Sequence, residues 1–312
     1  MSTDQPQATW PGPIGRPARP HWWSIQPVPP SSPISARRAY AEVLGVFALF
    51  FAAGILAGAE TLVKHYPAPT GSWAVFTPAA ISELASAALA VVVTTALSAR
   101  RGISPRSLGL GLPRAASGGA AIGPAFRQGV WAIAALIAGG IVTGQLETGH
   151  LPQPAHASLA YLLYATADSV AAGVVEETVV LAFVVTTLRQ AGRPLPEIVI
   201  VAVLLRCSYH DYYGPGVVGI AIWASVFVWL FLRTGSVIPL IVVHVGWDTA
   251  IFLAQRWHAI RTGEAIFVLL VIVAAAISWL AEVSRRNPPG GLSAPRYTAW
   301  PEEPFGRSSS GP

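Results

Sequence analysis

Charge is what this sequence has least of. Only 11% of its 312 residues are Asp, Glu, Lys or Arg, while 53% are hydrophobic; an ordinary soluble domain carries about 25% charged residues. That shortage argues against a water-facing surface wrapped around a buried core. Cysteine is almost missing as well, and the single Cys207 excludes an intramolecular disulfide framework and any zinc knuckle built on cysteine. Lysine occurs once, against nineteen arginines. The net charge of +5 would suit nucleic acid, but most arginines stand singly or in pairs beside apolar runs. That placement is a membrane-topology signal and not a nucleic-acid footprint, so no nucleic-acid partner is expected. The catalytic signatures HExxH and GxSxG are also absent, which removes the helix motif of a zincin and the nucleophile elbow of a serine hydrolase.

What is present is a series of apolar runs that reach or approach the ~20 residues a helix needs to cross ~30 Å of hydrocarbon, and the mean hydropathy is +0.53. The expected fold is all-α, a polytopic transmembrane helical bundle of about eight spans. Hydropathy places them near 39–63, 75–98, 127–146, 157–189, 196–210, 217–232, 236–254 and 264–283. The fourth run is long and contains Gly173, so it reads as two pieces or as one tilted, bent helix; one crossing is taken because the flanking charges then agree. Residues 1–36 and 285–312 are Pro-rich and polar and read as disordered tails. The transmembrane domain is therefore 37–284. The polar N-terminus shows no cleavable signal peptide in the usual place, and the first apolar segment is expected to serve as an uncleaved anchor.

Arginines set the expected orientation. Arg37 and Arg38 precede the first run; Arg100, Arg101, Arg106 and Arg114 follow the second; Arg189 and Arg193 follow the fourth. Arg233 follows the sixth, and Arg285 with Arg286 follow the eighth. The positive-inside bias puts all of these in the cytoplasm, together with both termini, in a multi-pass protein of the cell membrane. Arg256 and Arg261 fall on the other side.

Ionisable groups at membrane depth cost at least ~2.5 to 3.5 kcal/mol at a helix centre, so the few that occur are informative. They are Glu83, Asp168, Glu176, Glu177, Arg206, His210, His244 and Asp248. Adjacent Glu176 and Glu177 point about 100° apart on a helix, so they cannot share one task equally. His244 and Asp248 are four residues apart and lie on one helix face, where a carboxylate can hold an imidazole's tautomer or share a ligand or water with it. Arg206 and His210 repeat the spacing. A rise of ~1.5 Å per residue puts Glu176 about 20 Å in from Arg189, and His210 about 21 Å in from Pro196. The same rise puts His244 and Asp248 about 12 and 18 Å in from Ser236. Three helices thus bring carboxylates and imidazoles to one band. Such a set suits hydrolysis, with a carboxylate activating water and imidazoles stabilising an oxyanion. Glu and two His would equally serve as three ligands of a catalytic zinc with one open position. Spacing leaves both open, and leaves open a purely structural His/Asp pair stitching helices together.

The same residues resemble the CAAX prenyl endopeptidase and bacteriocin-processing family, called CPBP or Abi, of intramembrane proteases. Its pattern is EExxxR, then FxxxH, then HxxxN or HxxxD; here Glu176 and Glu177, His210, and His244 with Asp248 match in order and spacing. The matching region is about 170–255, within a protease-like core of about 157–283. The upstream RGISPRSLGLGL looks like the cytoplasmic segment that often precedes the motif helix. The resemblance implies that Glu176 activates water with Glu177 assisting or orienting. It also implies that His210 and His244 polarise the scissile carbonyl or bind metal, with Asp248 in the place of the family's Asn or Asp. The substrate would be a peptide or membrane protein, and the cofactor is left open, with zinc at His210, His244 and Glu176 as the candidate. Leu181 stands where the motif has Arg, and Arg206 where it has Phe. From the neighbouring helix, one turn before His210, Arg206 is expected to reach Glu177 and partly replace the missing cation. Two other classes carry buried carboxylates: a non-catalytic binding or immunity protein on the same fold, and a proton-coupled transporter. The second has neither inverted repeats nor paired Gly/Pro-broken helices in its favour here.

Overall fold

The computed structural model describes residues 33–64, 72–113, 122–147 and 158–254, with Val273 and Ile277 besides. Among them every regular element is helical. In chain order these are α1 (Ala36–Val63), α2 (Trp73–Ala99), α3 (Ile122–Leu146), α4 (Leu159–Gln190), α5 (Leu195–Ser208), α6 (Val217–Thr234) and α7 (Ile238–Ala254). A 3-10 turn, Asp211–Gly216, joins α5 to α6.

Local chemistry sets several of the ends. Ser35 and Ser158 accept the backbone N–H groups of Arg38 and Tyr161 and so cap α1 and α4. Pro196 lies in the first turn of α5, where a missing N–H costs nothing. Gly235, at φ +66°, closes α6 in the left-handed conformation that favours glycine.

Among the described residues five helices are long and apolar enough to cross a membrane: α1, α2, α3, α4, and α6 with its preceding turn. The protein is therefore a multi-pass membrane protein. The expected count of eight is not confirmed by the described residues. The 14 residues of α5 fall short of the ~20 required, because α5 ends at Tyr209 ahead of a kink at Gly214 and Pro215; α7 is described over 17 residues, up to Ala254, where that described stretch ends. The eighth run, 264–283, and both tails lie outside the described residues, apart from Val273 and Ile277 in the run and positions 33–36 at the end of the N-terminal tail.

The long fourth run is one continuous helix and not two pieces. Its middle, Glu177–Val185, is wound as a π-helix, a rare form that gathers at functional sites. Every residue from Val179 to Val185 is fully enclosed, whereas most of α2 is not buried among the described residues. A helix apolar all round belongs at the centre of a bundle, and α4 is that helix.

Gly173 does not break α4; it lets α7 approach. A Cβ there would lie 2.5 Å from Val245 Cγ2 and 3.1 Å from the Val245 nitrogen, the close-packing use of small residues in membrane bundles. Gly139 of α3 and Gly219 of α6 make a second tight crossing, where a Cβ on either would meet the other's carbonyl oxygen at 2.5 or 2.2 Å.

One end of the bundle collects arginines. Arg38 and Arg101 both pair with Glu42, Arg101 also donates to Thr187, and Arg193 donates twice to Glu197, which Tyr40 also reaches. The start of α1, the turn after α2 and the turn after α4 therefore share one face. The segment after α2 lies on that side too: Ile103 and Leu108 are buried, and the Gly109 carbonyl accepts the Val237 N–H at 3.0 Å.

Candidate active site

Glu176 and Glu177 sit at the junction where α4 passes from α to π winding. Arg206, 1% exposed on the last turn of α5, reaches both. It donates from Nη1 and Nη2 to the two carboxylate oxygens of Glu177, at 2.8 and 3.0 Å, and from Nη1 to Glu176 Oε2 at 3.2 Å. The cation facing Glu177 thus comes from α5, and Leu181, fully enclosed in the π segment, is an apolar core residue.

His244 of α7 completes the surroundings of Glu177. Its Nδ1 lies 2.7 Å from Glu177 Oε1, and because an ionised carboxylate only accepts, that nitrogen carries the hydrogen. The opposite nitrogen, Nε2, faces Asp248 Oδ2 at 3.4 Å and Glu176 Oε2 at 3.9 Å. A bare lone pair would be repelled there; a proton, or a water between, is the chemical complement. The spacing of four residues that put His244 and Asp248 on one face is realised as this contact.

His210 closes α5. Its Nδ1 lies 3.0 Å from the Arg206 carbonyl oxygen, so Nδ1 is the donor and Nε2 presents a lone pair in the neutral ring. His210 is buried, although Asp211 follows it directly.

The two carboxylates are unequal. Glu177 is 0% exposed and both its oxygens are occupied. Glu176 is 8% exposed, and its described hydrogen bonds all fall on Oε2, from Arg206 and from the Tyr209 hydroxyl at 3.0 Å. None falls on Oε1.

Two residues that sequence reasoning missed belong here. Tyr209 is one. Trp223 of α6 is the other: its ring lies 4.6 Å from the Arg206 guanidinium carbon and meets the His244 and His210 rings edge-on at 5.5 and 6.3 Å. An apolar-looking aromatic in VVGIAIWASVF carries no signal of that role. Glu83 and Asp168 are half-buried, and no hydrogen bond or ion pair joins them to the cluster among the described residues.

A metal fits this arrangement poorly. Among the described residues no three His, Cys, Asp or Glu side chains are grouped to hold one. Three of the four carboxylate oxygens also face the Arg206 guanidinium, so a second cation would meet a fixed positive charge. His210, His244 and Glu176 do not assemble as a ligand set.

Residues 158–250, from the cap of α4 almost to the end of α7, match the family model described as type II CAAX prenyl endopeptidase, Rce1-like. No curated protein and no solved structure matches the chain.

Proposed function

We propose that the protein, whose residues 158–250 match the type II CAAX prenyl endopeptidase, Rce1-like, family model, is an intramembrane endopeptidase in which Glu176 is the general base. The observation that carries this reading is the division between the two carboxylates. Glu177 is held on both oxygens by Arg206 and His244, which suits a charge partner, while Glu176 keeps Oε1 for a water.

In the proposed reaction Glu176 Oε1 takes a proton from water, and the water oxygen attacks the carbonyl carbon of the scissile bond. The carbonyl electron pair moves to its oxygen, and a proton on an imidazole nitrogen facing that oxygen would offset the developing charge. His244, whose Nε2 already faces two carboxylates, is the imidazole suited to carry it. Collapse of the intermediate breaks the C–N bond, and Glu176 returns its proton to the leaving nitrogen. His210 Nε2, as a lone-pair acceptor, would orient the attacking water. Asp248 would hold His244. No step runs through a metal.

The substrate class is a peptide or membrane-protein segment entering from the bilayer or the cytoplasmic face. The arginine-bearing end of the bundle is assigned to the cytoplasm of a cell membrane by the positive-inside bias.

The test uses the full chain reconstituted in phospholipid vesicles, in water enriched in oxygen-18. The probes are a prenylated CAAX peptide, the substrate named by the matched family, and an unmodified single-span peptide. Wild type is expected to cleave one of them and place one heavy oxygen in the new carboxylate, and Glu176→Gln to leave both intact while expressing normally. Undiminished cleavage by Glu176→Gln, or intact probes with wild type, would overturn the reading in favour of a non-catalytic binding protein.

A further inference from the structure

Tyr209 has no part in the steps above, yet it touches the group that performs them. Its hydroxyl donates to Glu176 Oε2 at 3.0 Å. Its ring is stacked on Phe51 of α1, with centroids 4.2 Å apart and planes 16° from parallel, and Phe47 follows at 6.1 Å. All three aromatics are buried. Tyr209 stands where α5 ends, at φ −98° and ψ 3°, so its direction depends on this stack as well as on the helix. Helix α1 lies outside residues 158–250.

We infer that Tyr209 is a positioning residue for Glu176, and that α1, through Phe51 and Phe47, is part of the catalytic unit and not only a membrane anchor. The inference rests on the reading of Glu176 as the base.

The terminal torsion of a glutamate is broad and roughly two-fold, so an untethered carboxylate swivels and exchanges its oxygens. Arg206 alone cannot prevent this, because the Nη1 that reaches Glu176 at 3.2 Å is also bonded to Glu177 at 2.8 Å. The Tyr209 hydroxyl adds a second donor on the same oxygen. With Oε2 held from two directions, Oε1 is the one basic atom left to face a substrate water. Hydrogen bonds to charged groups are worth more than neutral ones, and their loss at the base should be read in turnover and not in binding.

The experiment compares wild type, Tyr209→Phe, Phe51→Leu and Phe51→Tyr, each as the full chain in vesicles, with the prenylated CAAX peptide and the single-span peptide as probes. Tyr209→Phe keeps the ring and removes the donor, so kcat should fall roughly 10- to 100-fold with KM unchanged. Phe51→Leu keeps the hydroxyl but removes the stack and should lower kcat in the same manner, while Phe51→Tyr should restore it. A readout independent of turnover is the infrared carboxylate band that disappears in Glu176→Gln. That band should shift in Tyr209→Phe and stay in place in Phe51→Tyr. An unshifted band with wild-type kcat in Tyr209→Phe, or a change confined to KM or melting temperature, would overturn the inference. If Glu176→Gln is inactive and Tyr209→Phe is fully active, this inference alone fails; if Glu176→Gln cleaves normally, the base reading fails with it.

Discussion

Arg206 and Glu177 form a two-pronged ion pair at 2.8 and 3.0 Å between the end of α5 and the start of the π segment of α4, with neither side chain in contact with solvent. Removing one partner of a buried pair leaves an uncompensated charge, at a cost of about 3 to 5 kcal/mol. Arg206→Met should therefore lower stability by about that amount, read as thermal unfolding of the purified protein in detergent. Arg206→Lys keeps the charge but not the fork, since an ammonium is a point donor, and should fall between. Equal melting of wild type and Arg206→Met would remove the ion pair as a structural element.

Trp223 stacks over that guanidinium at 4.6 Å. A desolvated cation–π contact is worth about 2 kcal/mol, so Trp223→Leu should destabilise by at least that much. In a double-mutant cycle the loss should largely vanish in the Arg206→Met background. Full additivity of the two changes would show that the ring supports the fold without acting on the cation.

Gly173 brings α7 to α4 and thereby His244 to Glu177. A methyl group there would lie 2.5 Å from Val245 Cγ2 and 3.1 Å from the backbone nitrogen, and backbone cannot step aside as a side chain end can. Gly173→Ala should lower melting temperature and cleavage together. Gly144, on α3, has nothing within 4 Å of its virtual Cβ, so Gly144→Ala should be neutral or stabilise by about 0.5 to 1 kcal/mol. If both substitutions behave alike in the unfolding assay, the close crossing is not what Gly173 is for.

Much of this was legible in the sequence because lipid makes polar residues expensive. The long apolar runs of α1 to α4 announced themselves, and scarcity alone singled out the buried Glu176, Glu177, Arg206, His210 and His244 and the half-buried Asp248, together with Glu83 and Asp168, which lie outside the cluster. The reach of Arg206 to Glu177 could be expected from its place one turn before His210. Hydropathy places the fifth run at 196–210, close to the observed Leu195–Ser208, but counts a segment of that length as a full span, because an apolar window does not register the kink at Gly214. Nor could it show π winding, which depends on hydrogen-bond register and not on composition. Gly173 could be read as a bend or a break because a glycine in a helix has two meanings, and only the position of Val245 shows that it serves close packing. Tyr209 and Trp223 were hidden for a similar reason: an aromatic in an apolar run has the same signature whether it faces lipid, core or a charged cluster.

The most direct test of the account is a paired comparison of Glu176→Gln and Glu177→Gln, measuring peptide cleavage and melting temperature on the same preparations. The division of roles predicts that Glu176→Gln is inactive and melts like wild type. Glu177→Gln, which strands the buried Arg206 charge, should melt well below it, by a loss of about 3 kcal/mol or more. The reverse pattern, with Glu177→Gln stable and inactive and Glu176→Gln still cleaving, would contradict the assignment of the base.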